Sequence, residues 1–221
     1  MPTPSGAGSS YSHSTFARKK NWKCARPSCT ELGTQVEQGD GMITAEVGNY
    51  LLSEEGFDLR EDIASWLDWR GEEPPETDRE ITRGFVLLMR AAPPFRALVD
   101  YRLAKAKVVV GRRMAPKLPR PDSLFIAALS IGPRCRIQHG HSTWIMGTIG
   151  SDFTIRHNCT VGKHRGLPTI GNHVEMGTGS VIVGKVTIGD NVKIAPCVAI
   201  TSDVPSNSTV RPMPYVITPR K

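Results

Sequence analysis

From Ile131 onward an aliphatic side chain falls on every sixth position. The series runs Ile131, Ile137, Ile149, Ile155 and Val161, and resumes at Ile170, Met176, Ile182, Ile188, Ile194 and Ile200. Thr143 is the one residue on this beat that is not aliphatic. A period of six fits neither the 3.6 of a helix nor the 2 of a strand; it is the period of a solenoid whose short flat sides are single hexapeptides. Gly132, Gly150, Gly162, Gly171, Gly177 and Gly189 directly follow beat residues, where a turn free of any Cβ is expected. Small or branched residues recur four positions after the beat, at Cys135, Cys159, Ser180, Val186, Val192 and Val204, and are expected to point inward. The pattern predicts a parallel β-helix.

Upstream the period changes. Leu59, Ile63, Trp66 and Leu67 recur at spacings of three and four, which predicts an amphipathic helix over 58–70, broken by Pro74 and Pro75. A second helix is expected over 78–91, stopped by Pro93 and Pro94. A third is expected from about Phe95 to Met114, stopped by Pro116, Pro119 and Pro121. Residues 1–41 are rich in Ser, Gly and Pro, carry a basic patch at Arg18, Lys19, Lys20 and Lys23, and show no periodicity, so disorder is expected. Met42 opens the first ordered-looking sequence and is a candidate start. The plan read from this is an α+β chain: a disordered segment 1–41, a helical domain 42–120, the β-helix 121–212 and a tail 213–221.

The totals narrow the classes. With 221 residues there is room for one or two domains, and no apolar run reaches the length of a membrane span. The N-terminus lacks the charged start and apolar stretch of a signal peptide, so a cytoplasmic location is expected. Five cysteines in a reducing compartment argue against a disulfide framework. Cys24 and Cys29 have no second ligand pair nearby, so no metal is expected. A net charge of +7 suits an anionic partner, either nucleic acid or a polyphosphate ligand. Without aromatic interleaving the nucleic-acid reading is the poorer one.

The chemistry should lie where the beat breaks. Val161 to Ile170 spans nine positions instead of six, so Lys163–Pro168 is a three-residue insertion that bulges from the coil, usually on the working face. His139, His141, His157 and His164 cluster around it. Three hexapeptides make one coil, so His157, eighteen residues after His139, should lie directly over it, a plausible proton-handling pair. The alternative is two surface histidines on a turn. His141, four after the beat, is expected to pack inward and His173 to be solvated. Cys135 and Cys159 are expected in the core.

The runs IGPRCRIQHGHSTWIM and LPTIGNHVEMGTGSVIVGKVTIGDNVKIAPCVAITSDVPSNSTV resemble the serine O-acetyltransferase family of hexapeptide acyltransferases. The likeness spans about residues 78–212, with PPFRALVDYRL similar to the family's last helix before the coils. It implies a left-handed parallel β-helix, a homotrimer, acetyl-CoA as acyl donor, and direct transfer to the hydroxyl of serine in cysteine biosynthesis. By this resemblance His139 is the general base; the family more often has Gln where His157 stands, and His157 is a candidate assistant on its one-coil spacing from His139. Gly162, the Gly177–Thr178–Gly179 turn and Lys193 line the acetyl-CoA groove. Gln138 and Arg165 are the candidate acceptor contacts. The family's Asp before its catalytic histidine is here Gln138, and its Arg-His pair, which holds the serine carboxylate, is here Gly166–Leu167. Asp78 and Asp100 are weak counterparts of the family's helical-domain aspartate. A sugar or specialised metabolite is therefore the alternative acceptor, and a non-catalytic solenoid the alternative outside enzymes.

Overall fold

The computed structural model describes residues 45–108 and 123–213. The expectations for residues 1–41, for Cys24 and Cys29, for the prolines at 116–121 and for nearly all of the tail lie outside the described residues.

Four α-helices come first among the described residues: α1 (Ala45–Leu52), α2 (Phe57–Trp69), α3 (Asp78–Ala91) and α4 (Pro93–Lys105). The first of them is short and was not legible in the periodicity. Helix α3 begins at a capping box, in which the Thr77 side chain accepts from the Glu80 N–H and the Glu80 carboxylate accepts from the Thr77 N–H. Pro93 and Pro94 stop α3 and also supply the first turn of α4, where a missing N–H removes no helical bond. Helix α4 ends at Lys105, well short of the expected Met114. The stop is a Schellman motif: the Val108 N–H reaches Leu103 O at 3.0 Å and the Lys107 N–H reaches Ala104 O at 3.2 Å. Lys107 holds the left-handed position at φ 56°, a place where glycine is the usual signal, which is why the stop was invisible in the sequence.

Twelve short strands follow, all paired in parallel: β1 (Leu124–Ile131), β2 (Arg136–Ile137), β3 (Thr143–Ile149), β4 (Thr154–Ile155), β5 (Thr160–Gly162), β6 (Thr169–Ile170), β7 (Glu175–Met176), β8 (Val181–Val183), β9 (Thr187–Ile188), β10 (Lys193–Ile194), β11 (Ala199–Ile200) and β12 (Thr209–Val210). Strands β2, β4, β7, β10 and β12 stack as one sheet, while β3 bridges two other columns, pairing with β5 near its start and β6 near its end. This is the expected β-helix, and every beat residue is buried. The insertion is confirmed: Ile155 pairs with Met176 and Ile149 with Ile170, each twenty-one positions apart, where Ile137 pairs with Ile155 at eighteen.

A second irregularity was not foreseen. The column of Val161, Ile182 and Ile200 continues through Ile145, not Thr143, and on to Ile126. The corner between Ile137 and Ile145 thus spans eight positions, two more than the period. The surplus is recovered where β3 runs straight from Ile145 to Ile149 without a corner. Gly147 sits in that stretch at φ 96°, and a Cβ there would stand 2.3 Å from Pro168 O.

The glycines after the beat do a different job from the one expected. A Cβ on Gly177 would lie 2.5 Å from Pro196 N, and one on Gly132 would lie 2.6 Å from Ser151 N. These glycines let successive coils approach backbone to backbone. The left-handed corner residues come two positions later, at Arg134, Asp152, His173, Gly179 and Asn191.

One hydrophobic core runs through helices and coils. Their junction is polar and buried. The Arg102 guanidinium donates to Asp62 Oδ2 at 2.9 Å and to Gly132 O at 2.7 Å, and also to Ile131 O. Asp62 Oδ1 accepts from the Cys135 N–H at 2.8 Å, and Trp66 Nε1 donates to Cys135 O at 2.7 Å. Burial pushes the Asp62 carboxyl up to about 6, although Arg102 and the Cys135 N–H favour its charged form. A clasp of this kind sets helix α2 in register with the first coil.

Candidate active site

The five-residue corner between β2 and β3, residues 138–142, presents His139. The Gly140 N–H bonds to Gln138 O at 2.9 Å, closing a three-residue γ-turn with His139 at its centre at φ 65°. A γ-turn with positive φ is rare and strained for a residue with a Cβ. Gly140 at φ 68° and Ser142 at φ 48° continue the distortion. Its effect is to push residues 139–142 off the coil. Gly140 is buried, while His139 and His141 are both exposed. His141 was expected to pack inward. It does not, because the two surplus residues shift it out of the inward position over Cys159, which the fully buried Thr143 takes instead.

The ring of His157 lies against that of His139, with centroids 5.6 Å apart and planes at 71°. The one-coil spacing expected for the pair is thereby met. His157 is half-buried, and its Nδ1 is buried with no hydrogen-bond partner among the described residues.

A cleft of about 440 Å³ opens at His139 between the coils and the helices. The corner contributes His139 and His141 to its lining. The end of α2 contributes Trp66, Trp69 and Arg70, and the start of α4 contributes Pro93 and Pro94. Trp66 is 2% exposed and Trp69 44%, their rings edge to face at 5.7 Å. The helical residues were missed in the sequence. Trp66 reads there only as part of an apolar stripe, although an exposed Trp69 beside Arg70 was a usable hint.

The remaining expected residues lie elsewhere. Gln138 is half-buried and gives its N–H to Ile155 O at 2.8 Å. Arg165 is exposed at φ 55° on the inserted loop, which leans on the Gly184–Lys185 turn of the next coil, and it is not part of the cleft lining. Gly162 ends β5 and Gly177, Thr178 and Gly179 form a corner; none lines the cleft, but the Gly179 N–H donates to His157 O at 3.2 Å. Gly179 has φ 72°, and a Cβ there would meet only Cys197 Sγ at 3.4 Å. Lys193 Nζ stands 3.9 Å from Glu175 Oε1 on the adjacent rung. His173 is not simply solvated: its Nδ1 is 3.5 Å from Asp152 Oδ2. Cys135 and Cys159 are fully buried, and burial pushes the Cys135 thiol up to about 12, far from a thiolate at neutral pH. No group of three His, Cys, Asp or Glu is placed to hold a metal among the described residues.

The family model named Bacterial transferase hexapeptide (six repeats) matches residues 168–202. A serine acetyltransferase of Helicobacter pylori is 35% identical over 134 residues, covering 53% of this chain and 76% of the relative. The chain belongs to the serine acetyltransferase family. It is an acyltransferase. The Escherichia coli acetyltransferase WcaB, named for colanic acid biosynthesis, is 39% identical over 90 residues, covering 38% of this chain and 56% of that one. Among solved structures, a Neisseria gonorrhoeae serine acetyltransferase in complex with serine superposes with a TM-score of 0.53 at 21% identity, over 84% of this chain and 80% of that one. That likeness shows the fold, a helical block followed by the β-helix, which the family shares.

Proposed function

We propose that the protein transfers acetyl from acetyl-CoA to the hydroxyl of serine or a serine-like small molecule, directly and with His139 as general base. The observation that carries this reading is His139, held in a strained turn at the mouth of a cleft with a second imidazole edge-on at 5.6 Å. Strain of this kind persists only where the surrounding structure enforces it, and it concentrates at functional sites. Imidazole takes and returns a proton near neutral pH. In the proposed step His139 removes the acceptor's hydroxyl proton as that oxygen attacks the thioester carbonyl. The C–S bond then breaks, and the departing thiolate receives the proton back, with no acyl-enzyme. His157, with its unpartnered Nδ1, assists by a hydrogen bond to His139 or to the acceptor.

Acetyl-CoA is proposed to lie along the end of β5 at Gly162 and the Gly177–Thr178–Gly179 corner, with Lys193 near its nucleotide end; backbone N–H groups there can hold the developing oxyanion. Gln138 is proposed to touch the acceptor. Arg165 reaches the acceptor only if its loop swings or a neighbouring copy brings it. A homotrimer is proposed because the outer face of β1 and β3 exposes Phe125, Leu129 and Trp144 at 47%, 59% and 50%, with the two rings packed at 4.8 Å. A cytoplasmic location and a place in cysteine biosynthesis follow from the same reading. No helix among the described residues is long and apolar enough to cross a membrane.

Thiol release from acetyl-CoA, measured against a panel of amino acids, sugars and amines, tests the proposal. Release with serine above the blank supports it; release with none of the panel removes it. A sugar or specialised metabolite is the second reading. The aromatic wall at Trp69 favours it, since such a face suits a ring-shaped acceptor, and the WcaB relative lends some support.

A further inference from the structure

In the family that this chain resembles, an Arg-His pair on the inserted loop holds the acceptor's carboxylate; here Gly166–Leu167 stand in its place. The cleft at His139 supplies a different cation. Arg70 lies at the C-terminus of α2, its position set by backbone bonds from its N–H to Leu67 O at 2.9 Å and Trp66 O at 3.3 Å. Its side chain lines the cleft and has no hydrogen bond or ion pair to any described residue. Arginines nearby are engaged: Arg102 with Asp62 and Asp58, Arg134 with Glu61 and Asp152, Arg60 with Leu51 O. No Asp or Glu lines the cleft to neutralise the guanidinium, and its neighbours there, Trp66, Trp69, Pro93 and Pro94, are apolar. Apolar walls reduce solvent screening, so an ion pair formed inside is worth more than one on an open surface.

Resting on the acyl transfer proposed above, we infer that Arg70 selects the acceptor: its guanidinium holds the acceptor's carboxylate while His139, lining the same cleft, takes the hydroxyl proton. The carboxylate of a small hydroxy acid is matched by the planar fork of an arginine, which donates to its two oxygens side by side. The helical block, not the inserted loop, thereby becomes the specificity element, and the Trp66–Cys135 and Asp62–Arg102 bonds hold it in register with His139.

The test compares L-serine with serinol, in which the carboxylate is replaced by CH2OH, in the full-length wild type and in Arg70→Gln. Arg70 is exposed and its side chain bonds to no described residue, so the variant is expected to fold. The ratio of the serine to the serinol efficiency should fall by about tenfold to a hundredfold, through the serine KM and not the acetyl-CoA KM. Arg70→Lys, a point charge without the fork, should restore part of it. An unchanged ratio overturns the inference. So does a loss confined to Arg165→Gln, which would put the carboxylate on the inserted loop. Binding gives a readout independent of turnover, because Trp66 and Trp69 line the cleft. Serine should change tryptophan fluorescence in the wild type and not in Arg70→Gln. If no acceptor releases thiol, the acetyl-transfer reading fails while this titration still decides the role of Arg70; equal responses, or none in the wild type, overturn it.

Discussion

His139 and His157 stand on consecutive coils with ring centroids 5.6 Å apart and planes at 71°, one ring exposed and the other half-buried. The β-helix register, Ile137 opposite Ile155, brings the two corners together, and the γ-turn at Gln138–Gly140 turns the upper ring outward. If His139 is the base, His139→Asn should lower turnover by about two to four orders of magnitude with little change in acetyl-CoA affinity. Asparagine tolerates the left-handed backbone of this position, so melting temperature should hold. His157→Ala should cost less. Equal turnover in His139→Asn and the parent would remove the histidine from the chemistry.

Assembly through the β1–β3 face predicts that charge placed there disperses the oligomer. Phe125 and Trp144 pack ring against ring on a surface that is otherwise solvent-facing. Trp144→Glu should yield a monomer in sedimentation at micromolar concentration while leaving the far-ultraviolet circular dichroism intact. A parent that already sediments as a monomer with full activity would rule the trimer out.

The junction clasp should be intolerant of losing one partner. Arg102→Leu leaves the Asp62 carboxylate fully buried without its counter-ion, a change that costs about 3–5 kcal/mol. Adding Asp62→Asn should recover a substantial part, since the unpaired charge is then gone. Chemical denaturation of the two variants checks this, and equal stabilities would show that Asp62 is not charged in the native state.

The Arg134 bridge predicts an acid-side slope. Asp152 is pushed up by burial, but its bidentate contact with Arg134, at 2.6 and 2.7 Å, carries it net below the usual carboxylate value. A folded pKa below the unfolded one stabilises the protein above the ordinary carboxylate pKa. That contribution is lost as pH falls through the depressed value. Melting temperature should therefore drop on acidification in the parent, and the drop should be shallower in Arg134→Gln. Parallel curves would mean that the bridge carries no such linkage.

Two glycines assigned to the same cofactor groove should separate. Gly177→Ala places a Cβ 2.5 Å from Pro196 N, so it should lower stability by pushing two coils apart. Gly179→Ala meets nothing closer than Cys197 Sγ at 3.4 Å and strains only its own φ of 72°, a cost of about 1–2 kcal/mol. A cofactor role would appear as a rise in the acetyl-CoA KM of Gly179→Ala beyond that modest loss. Thermal melts of the two variants, with acetyl-CoA kinetics on each, make the comparison.

The sequence by itself determined the β-helix, because a six-residue period leaves one buried aliphatic per side, and the stacking of Ile137, Ile155, Met176 and Ile194 follows from counting. It determined the inserted loop by the same count, and the limits of α3, whose start is written locally in the capping pair Thr77 and Glu80 and whose stop is the proline pair. It also put His157 over His139. Tertiary structure decided the rest. The pairing of β3 with β5 decides that Ile145 stands over Val161 and Thr143 over Cys159, and that two-residue slip moves His141 out of the inward position. The end of α4 rests on Lys107 in a backbone region that its side chain does not advertise. Arg70 and Trp69 reached the cleft through the buried Arg102–Asp62–Cys135 clasp. No local pattern encodes that contact, because its partners lie forty to about seventy residues apart.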